Sequence, residues 1–368
     1  LFVFLEISSL SSYALIAMGK HRKALTAAFY YLVLGTMGAT FFLIGVGMLY
    51  AASGSLNMAD ILERFSAYED LHLVTTSLAF ILVGVALKAA IFPLHSWLPS
   101  SYSQAPSVVS VFLAASATKV AIYVLIRCLF NVYPMAYWME IVLPDLLVGL
   151  GCVGILYGSF RAFGQLDMKR LLAYSSVAQI GYMVVGIGLI NQTAMTASLL
   201  HLFNHALMKA ALFMVAGILM YRANTTYLKD IRGVGRDAPW TLLAMALAGL
   251  SLIGVPGTVG FISKWYLISG ALEVGRWYVV LVILAGSILA ILYVWKIIEA
   301  LYFSPSEKPH VHNVNPGTKA IAETPSSMAI ALWIAVAGCI YFGLDTSFSR
   351  EAAETAVSAL FAAGQGGK

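Results

Sequence analysis

Ten apolar segments, each long enough to cross a lipid bilayer, follow one another along the chain with short connectors between them. A transmembrane helix needs about 20 mostly apolar residues. A chain that repeats this pattern so often has the bilayer as its solvent, and the predicted fold class is an all-α polytopic membrane protein. The predicted spans are residues 1–19, 26–52, 73–93, 106–130, 138–160, 169–190, 195–220, 239–272, 277–303 and 325–346.

The composition also favours a membrane protein. Of the 368 residues, 60% are hydrophobic and only 11% are charged, whereas soluble domains carry about 25% charged residues. The net charge of +5 does not indicate a nucleic-acid-binding protein, because the basic residues form short clusters between apolar segments. Cys128, Cys152 and Cys339 lie far apart without the spacing of metal ligands, so we expect them to be small buried side chains.

The charges of the connectors predict the orientation of the chain. If the connector with Lys20, Arg22 and Lys23 faces the cytoplasm, alternation of the spans places 161–170, 221–238 and 304–324 on the same side. These four connectors hold 12 Lys and Arg residues, against 4 on the opposite side. Cytoplasmic loops carry such an excess. We therefore predict a multi-pass protein of the inner (cytoplasmic) membrane with its Lys/Arg-rich loops in the cytoplasm.

A charge inside a predicted span costs about 2.5–3.5 kcal/mol on insertion scales. Apart from Lys296, which lies near a span end, four lysines of the spans are candidates for a functional role. They are Lys88, Lys119, Lys209 and Lys264. A lysine near a helix end can extend its amine to the interface, but these four have apolar residues on both sides. Glu6 is the acidic residue inside an apolar stretch and the natural partner of Lys88, unless it lies at the interface. An amine between an apolar environment and a carboxylate can gain and lose a proton, so we predict a proton-carrying role.

A polar stripe is predicted on one face of the span at 195–220. His201, His205 and Lys209 are spaced four residues apart and therefore share a helix face. The His-x-x-x-His spacing also occurs in metal sites, but no third ligand accompanies it and we expect no metal. Histidine titrates near neutral pH, so the stripe predicts a path for protons through bound water. Ser175 and Gln179 of the preceding span either extend this stripe or form hydrogen bonds between helices.

Two spans are interrupted by proline next to a buried lysine. Pro93 follows Lys88, and Pro256 with Gly257 precedes Lys264. Proline removes a backbone hydrogen bond, and in lipid the freed carbonyls must be satisfied by protein or water. Each interruption therefore predicts a local wet cavity beside a lysine.

Matched interruptions in two parts of a transporter are typical of inverted repeats with a site near the bilayer midplane. We predict two inverted five-helix units with discontinuous helices. The first unit corresponds to residues 1–130 and the second to 131–303. Residues 304–368 would form a cytoplasmic connector, the last transmembrane helix and a tail that resembles a surface helix.

Several motifs support a more specific interpretation: Phe-Leu-Glu6-Ile-Ser-Ser, Leu-Lys88-Ala-Ala-Ile-Phe-Pro-Leu-His-Ser-Trp-Leu-Pro, Gln104-Ala-Pro-Ser-Val-Val-Ser, Lys169-Arg-Leu-Leu-Ala-Tyr-Ser-Ser-Val-Ala-Gln-Ile-Gly-Tyr, His201-Leu-Phe-Asn-His-Ala-Leu-Met-Lys-Ala-Ala-Leu-Phe and Gly260-Phe-Ile-Ser-Lys264-Trp-Tyr. Together they resemble the antiporter-like subunits of respiratory complex I and of Mrp-type cation/proton antiporters. The likeness covers nearly the whole chain and looks closest to the Mrp D-type subunit. Related subunits occur in membrane-bound hydrogenases.

The resemblance implies a fold of about fourteen helices, of which about four N-terminal ones are not in this sequence. We therefore expect the N-terminus to be incomplete or preceded by further helices. It also implies that redox centres belong to partner membrane subunits, with no flavin, metal or quinone chemistry and no cofactor in this chain. The implied proton path consists of the pair Glu6 and Lys88 in the first half-channel, Lys119 between the halves, the central axis of His201, His205 and Lys209, and Lys264 at the exit.

The leading functional hypothesis is a proton-translocating subunit of a complex I-like, Mrp-type or hydrogenase-type assembly, with or without sodium in exchange. One alternative is a stand-alone secondary transporter of a small solute, which would need a selective pocket and no partner. Another is a structural membrane subunit, which would tolerate alanine at every buried lysine. The sequence leaves open whether sodium moves, which complex is involved, and the direction of transport.

Overall fold

The computed structural model describes residues 1–68, 70–304 and 324–365. Within these ranges, eight helices are long and apolar enough to cross a membrane, and the shorter apolar helices Phe2–Ala17 and Pro239–Ile253 lie at two further predicted spans. The predicted all-α polytopic fold is confirmed. Most of the predicted connector 304–324, and Lys368 in the tail, lie outside the described residues.

The first part of the chain contains four spans. Short helices occupy the connectors, and a π-helical turn at Leu113–Ala117 joins two helices into one span. The helices are α1 (Phe2–Ala17), α2 (Arg22–Ser53), α3 (Met58–Glu63), α4 (Leu71–Ala89), α5 (Trp97–Gln104), α6 (Ser107–Phe112) and α7 (Thr118–Asn131), with a 3₁₀ turn at Phe65–Ala67.

The remaining spans surround α10, in which every residue except Arg170 is buried, between α9, α11, α14 and α5. A helix with apolar residues on all sides belongs in such a central position. The second set of helices is α8 (Met135–Glu140), α9 (Leu143–Phe163), α10 (Met168–Gly188), α11 (Gln192–Ala223), α12 (Pro239–Ile253), α13 (Val259–Glu273), α14 (Trp277–Ile298), α15 (Ser326–Leu344) and α16 (Ser347–Gln365), with a 3₁₀ turn at Val234–Asp237 and a π-helical turn at Glu299–Phe303.

The two predicted helix interruptions are present in the fold. Pro93 lies between α4 and α5, and Pro256 lies between α12 and α13. Around Pro256 the chain uses the left-handed region at Gly254 (φ 92°) and Gly257 (φ 85°), which glycine adopts without steric cost. At the first interruption, the Trp97 indole N–H donates to the carbonyl of Leu87 at 2.8 Å, so protein groups satisfy part of the exposed backbone.

The tail folds as the surface helix that its alanine-rich sequence indicated. Ala353, Val357 and Phe361 form the buried face of α16, while Glu354 is exposed on the other side. The ring of Phe361 packs against Phe130 of α7, with centroids 5.6 Å apart. α16 therefore lies against the bundle through one apolar face.

Gly260 allows α13 to approach α12 closely, because a Cβ at this position would overlap the carbonyl oxygen of Ser251. We expect Gly260→Ala to lower the free energy of unfolding by about 1–3 kcal/mol, the usual cost of overpacking. At Gly47 of α2, an added Cβ would meet no atom within 4 Å. Gly47→Ala is therefore the control and should preserve or raise stability. The measurement is the temperature at which the detergent-solubilised protein loses its monodisperse elution peak. Equal temperatures for both variants would contradict this packing.

Candidate functional site

An ion pair links α1 to α4. The Lys88 ammonium lies 2.7 Å from Glu6 Oε1 and donates to the Ser9 hydroxyl at 2.8 Å. Glu6 and Ser9 are three residues apart and therefore face the same side of α1. The side chains of Lys88 and Glu6 are only 10% and 21% exposed, so the pair is partly shielded from its surroundings. The structure thus brings together the two groups that the sequence suggested as partners.

A cavity of about 50 Å³ lies next to Lys88, which is enough space for water. Its walls include Trp97 beside the helix interruption, and Ala117, Val120 and Ala121 around the start of α7. The cavity therefore extends from the ion pair towards the span that carries the next lysine.

Lys119 stands at the beginning of α7, directly after the π-helical turn. Its buried ammonium donates to the carbonyl oxygen of Ala114 within that turn. A π-helical turn shifts the regular pattern of backbone hydrogen bonds by one residue. The Lys119 charge is close enough to interact electrostatically with the histidines and the lysine of α11.

The predicted stripe on α11 is buried in the centre of the bundle. The rings of His201 and His205 are nearly parallel, with centroids 5.9 Å apart and an interplanar angle of 5°. His201 Nδ1 lies 2.8 Å from the hydroxyl of Ser263 on α13. Among the described residues, His201 Nε2 and both ring nitrogens of His205 have no protein hydrogen-bond partner. Buried polar atoms of this kind are normally satisfied by ordered water.

Lys209 continues the stripe towards α10. Its fully buried ammonium donates to the Leu172 carbonyl at 2.8 Å and to the Ser175 hydroxyl at 2.6 Å. Ser175 therefore both connects two helices and extends the polar stripe, so the two interpretations left open by the sequence apply together.

The second helix interruption and Lys264 form one structural unit. The Lys264 ammonium donates to the carbonyls of Ile253 at 2.7 Å and Leu252 at 3.2 Å, and to the Ser287 hydroxyl at 3.0 Å. The two carbonyls belong to the last turn of α12 and lack partners within their own helix. The negative end of a helix dipole thus faces a cation.

Tyr182 of α10 fills the space between Lys264 and the stripe on α11. The centre of its ring lies 5.0 Å from the Lys264 ammonium and 5.7 Å from the His201 ring. Sequence reasoning assigned no role to Tyr182, Ser263 or Ser287. Tyr182 and Ser263 belong to the sequence motifs quoted above, so the motifs could have identified them. Ser287 lies in an apolar helix outside these motifs.

The position predicted for Lys169 is wrong. The charge count places it in the connector 161–170, but α10 begins at Met168 and the Lys169 side chain is only 2% exposed. Its ammonium donates to the carbonyl of Ala105 at 3.1 Å. The predicted span 169–190 already begins at this residue, so the error lies in counting Lys169 with the connector, although its side chain packs against the end of α5. Eleven basic residues remain on the predicted cytoplasmic side, so the charge asymmetry persists.

We call the seven predicted side chains the polar row. Amines, imidazoles and one carboxylate can exchange protons without any change of oxidation state. In space they run from the ion pair through α7 and α11 to the second interruption: Glu6, Lys88, Lys119, Lys209, His205, His201 and Lys264.

Comparisons with known proteins agree with this architecture. The family described as NADH:quinone oxidoreductase/Mrp antiporter, TM, matches residues 1–290. NADH-quinone oxidoreductase subunit N of Desulforudis audaxviator is 42% identical over 348 residues, which cover 94% of this chain and 69% of the relative. The D-type subunit of the Na(+)/H(+) antiporter of Alkalihalophilus pseudofirmus is 33% identical over 301 residues, which cover 81% of this chain and 60% of the relative. The likeness to the D-type subunit is confirmed, although the Desulforudis relative shares more identical residues.

A solved structure shows the same fold. A chain of the Mrp complex from Dietzia sp. DQ12-45-1b matches 100% of this chain and 75% of its own length, with a TM-score of 0.87 and 24% identity. From the family match, the relatives and the fold together, the chain belongs to the NADH:quinone oxidoreductase/Mrp antiporter family of multi-pass membrane proteins, whose members are proton-translocating subunits of larger membrane complexes.

Proposed function

We propose that this chain moves protons across the cytoplasmic membrane, as one subunit of a respiratory or antiporter complex. The observation that carries this proposal is the continuous burial of titratable groups along the polar row. Such groups are costly inside a membrane and typically mark ion paths. Exchange against sodium is part of the proposal because one relative is named as part of a Na(+)/H(+) antiporter.

The contacts support an order of transfer. A proton on Lys88 has the cavity of about 50 Å³ on its α7 side, through which water can connect it to Lys119. From there the α11 stripe leads through His205 to His201, and the ring nitrogens without protein partners, both of His205 and Nε2 of His201, favour bound water. Tyr182 then lies between His201 and Lys264, and the Lys264 ammonium donates to the Ser287 hydroxyl.

The proposed organisation has two units, 1–130 and 131–303, followed by 304–368. In each of the two units, the interrupted span is the next to last: α4 with α5 in the first, α12 with α13 in the second. This correspondence supports inverted repeats.

We also propose that the Lys/Arg-rich connectors face the cytoplasm, on the basis of the positive-inside rule.

His205 offers a test with little structural side effect, because no described protein group loses a hydrogen bond when its ring is removed. We expect His205→Leu to assemble normally and to lower proton transport by about 100-fold, the scale of a lost proton-transfer group. Transport is measured as fluorescence quenching of a pH dye in inverted membrane vesicles, driven by NADH or by a sodium pulse.

The matched control is His72→Leu, since His72 is exposed at the start of α4. It should transport like the wild type. Full transport by His205→Leu would exclude a proton path through α11 and favour a structural role for the chain.

A further inference from the structure

Lys169 is a buried cation that the proposed path does not use. It is the second residue of α10, at the end of the bundle that carries the basic connectors. A lysine near a helix end usually extends its ammonium to the surface, where water hydrates the charge. This side chain instead turns inwards, and its position calls for another explanation.

The contacts of Lys169 lie where the first discontinuous helix ends. Its ammonium donates to the carbonyl of Ala105, the residue after α5, and to the Ser110 hydroxyl of α6 at 3.4 Å. The Ser110 hydroxyl in turn donates to the carbonyl of Tyr102 at 2.8 Å. The amine is therefore held by neutral oxygen atoms at the junction between α5 and α6.

A large polar cavity adjoins this junction. Its volume is about 450 Å³, and its walls include Gln104, Arg170, Lys23, Ser100 and Ser103. Gln104 directly precedes the carbonyl that Lys169 contacts, and Arg170 directly follows Lys169. The sequence neighbours of Lys169 and of its acceptor Ala105 thus line this cavity, at the end of the bundle where the basic connectors lie.

In the other direction, α10 leads from Lys169 to the polar row. Leu172 lies three residues further on and shares its helix face. The Leu172 carbonyl and the Ser175 hydroxyl are the two acceptors of Lys209. The first two turns of α10 therefore carry Lys169 at their start and, after it, the groups that anchor Lys209.

The nearby carboxylate of Asp167 is already engaged. One of its oxygens accepts from the backbone N–H of Arg170 at 2.8 Å, and the other from the Thr226 hydroxyl at 2.8 Å. The Asp167 carboxylate attracts the Lys169 ammonium electrostatically. Among the described contacts, it accepts no hydrogen bond from Lys169.

We propose that Lys169 is a proton-transfer residue that connects the large polar cavity to Lys209. This inference rests on the proposed function and adds to it an access route to the polar row that does not pass through Lys88. The amine takes up a proton as it becomes an ammonium and releases a proton on the opposite side, so no bond other than N–H forms or breaks.

Two substitutions separate proton transfer from a purely structural role. Lys169→Arg keeps the charge and the hydrogen-bond donors but cannot release a proton at working pH. Lys169→Gln keeps a donor for the Ala105 carbonyl without a titratable group. We expect both variants to assemble in the full complex and both to lower proton transport in inverted vesicles by about 100-fold.

Lys229→Gln is the control, since Lys229 is exposed in the connector at the same end, and it should transport like the wild type. Loss of a proton-transfer group lowers the rate by much more than twofold. If Lys169→Arg transports protons within about twofold of the wild type, Lys169 only holds the junction between α5 and α6. Failure of both variants to assemble would likewise overturn the inference. Absence of transport by the wild type would instead refute the proposed function itself.

Discussion

Lys264→Gln is expected to abolish proton transport, with a loss of about 100-fold or more, while the complex still assembles. The glutamine amide can donate a hydrogen bond to the carbonyls of Leu252 or Ile253, so the end of α12 keeps a partner. What it cannot do is bind and release a proton. Alanine would be a poorer choice, because each buried carbonyl left without a partner costs about 1–3 kcal/mol. The measurement is dye quenching in inverted vesicles, with the amount of assembled complex determined in the same membranes.

Lys296 provides a closely matched control. Its ammonium also donates to two carbonyls near the end of a helix, those of Phe163 at 2.8 Å and Gln165 at 2.9 Å, but it lies outside the polar row. Lys296→Gln should therefore leave transport unchanged. If Lys264→Gln and Lys296→Gln behaved alike, the role of Lys264 would be to cap a helix and not to carry protons.

The pair Glu6 and Lys88 is expected to respond differently to single and double substitution. Glu6→Gln leaves a partly buried ammonium without its carboxylate, and Lys88→Met leaves a carboxylate without its ammonium. Because an isolated charge is costly in an apolar environment, each single variant should be less stable than the double variant. All three should lose proton transport by about 100-fold, since the double variant restores neutrality but no titratable group.

The stability of the solubilised complex and its proton transport are the two measurements for this set. Asp145 and Arg276 form the control pair, with the same 2.7 Å separation but side chains that are 70% and 28% exposed. Asp145→Asn should change neither measurement appreciably, because exposed ion pairs contribute little. Recovery of transport in the Glu6→Gln/Lys88→Met double variant would show that the pair serves stability alone.

Most of the fold was predictable because its signals are local. Hydropathy identifies the spans, and Pro93 and Pro256 mark the interruptions, since the effects of proline do not depend on tertiary contacts. The boundary near 138–160 was less accurate. Met135–Glu140 forms a separate short helix, and α9 runs from Leu143 to Phe163. Apolar composition does not separate two adjacent helices, whereas Pro144 in the first turn of α9 was a usable start signal.

The candidate site was predictable only in part. The spacing of His201, His205 and Lys209 places them on one face of any helix, whatever surrounds it. The acceptors of Lys264 depend on how α12, α13 and α14 meet in space, which no local pattern specifies. Lys169 shows the same limit. It stands at the boundary between the predicted connector 161–170 and the predicted span 169–190, and only the packing of α10 against the end of α5 reveals its burial.

In the proposed function, protons cross this chain along connected, hydrated groups. The most direct test is a cryo-electron microscopy map of the assembled complex that resolves ordered water around His205. The proposed path predicts water hydrogen-bonded to both imidazole nitrogens and continuing towards Lys119 and Tyr182. A well-ordered ring enclosed by apolar side chains alone, with no water on either nitrogen, would contradict it.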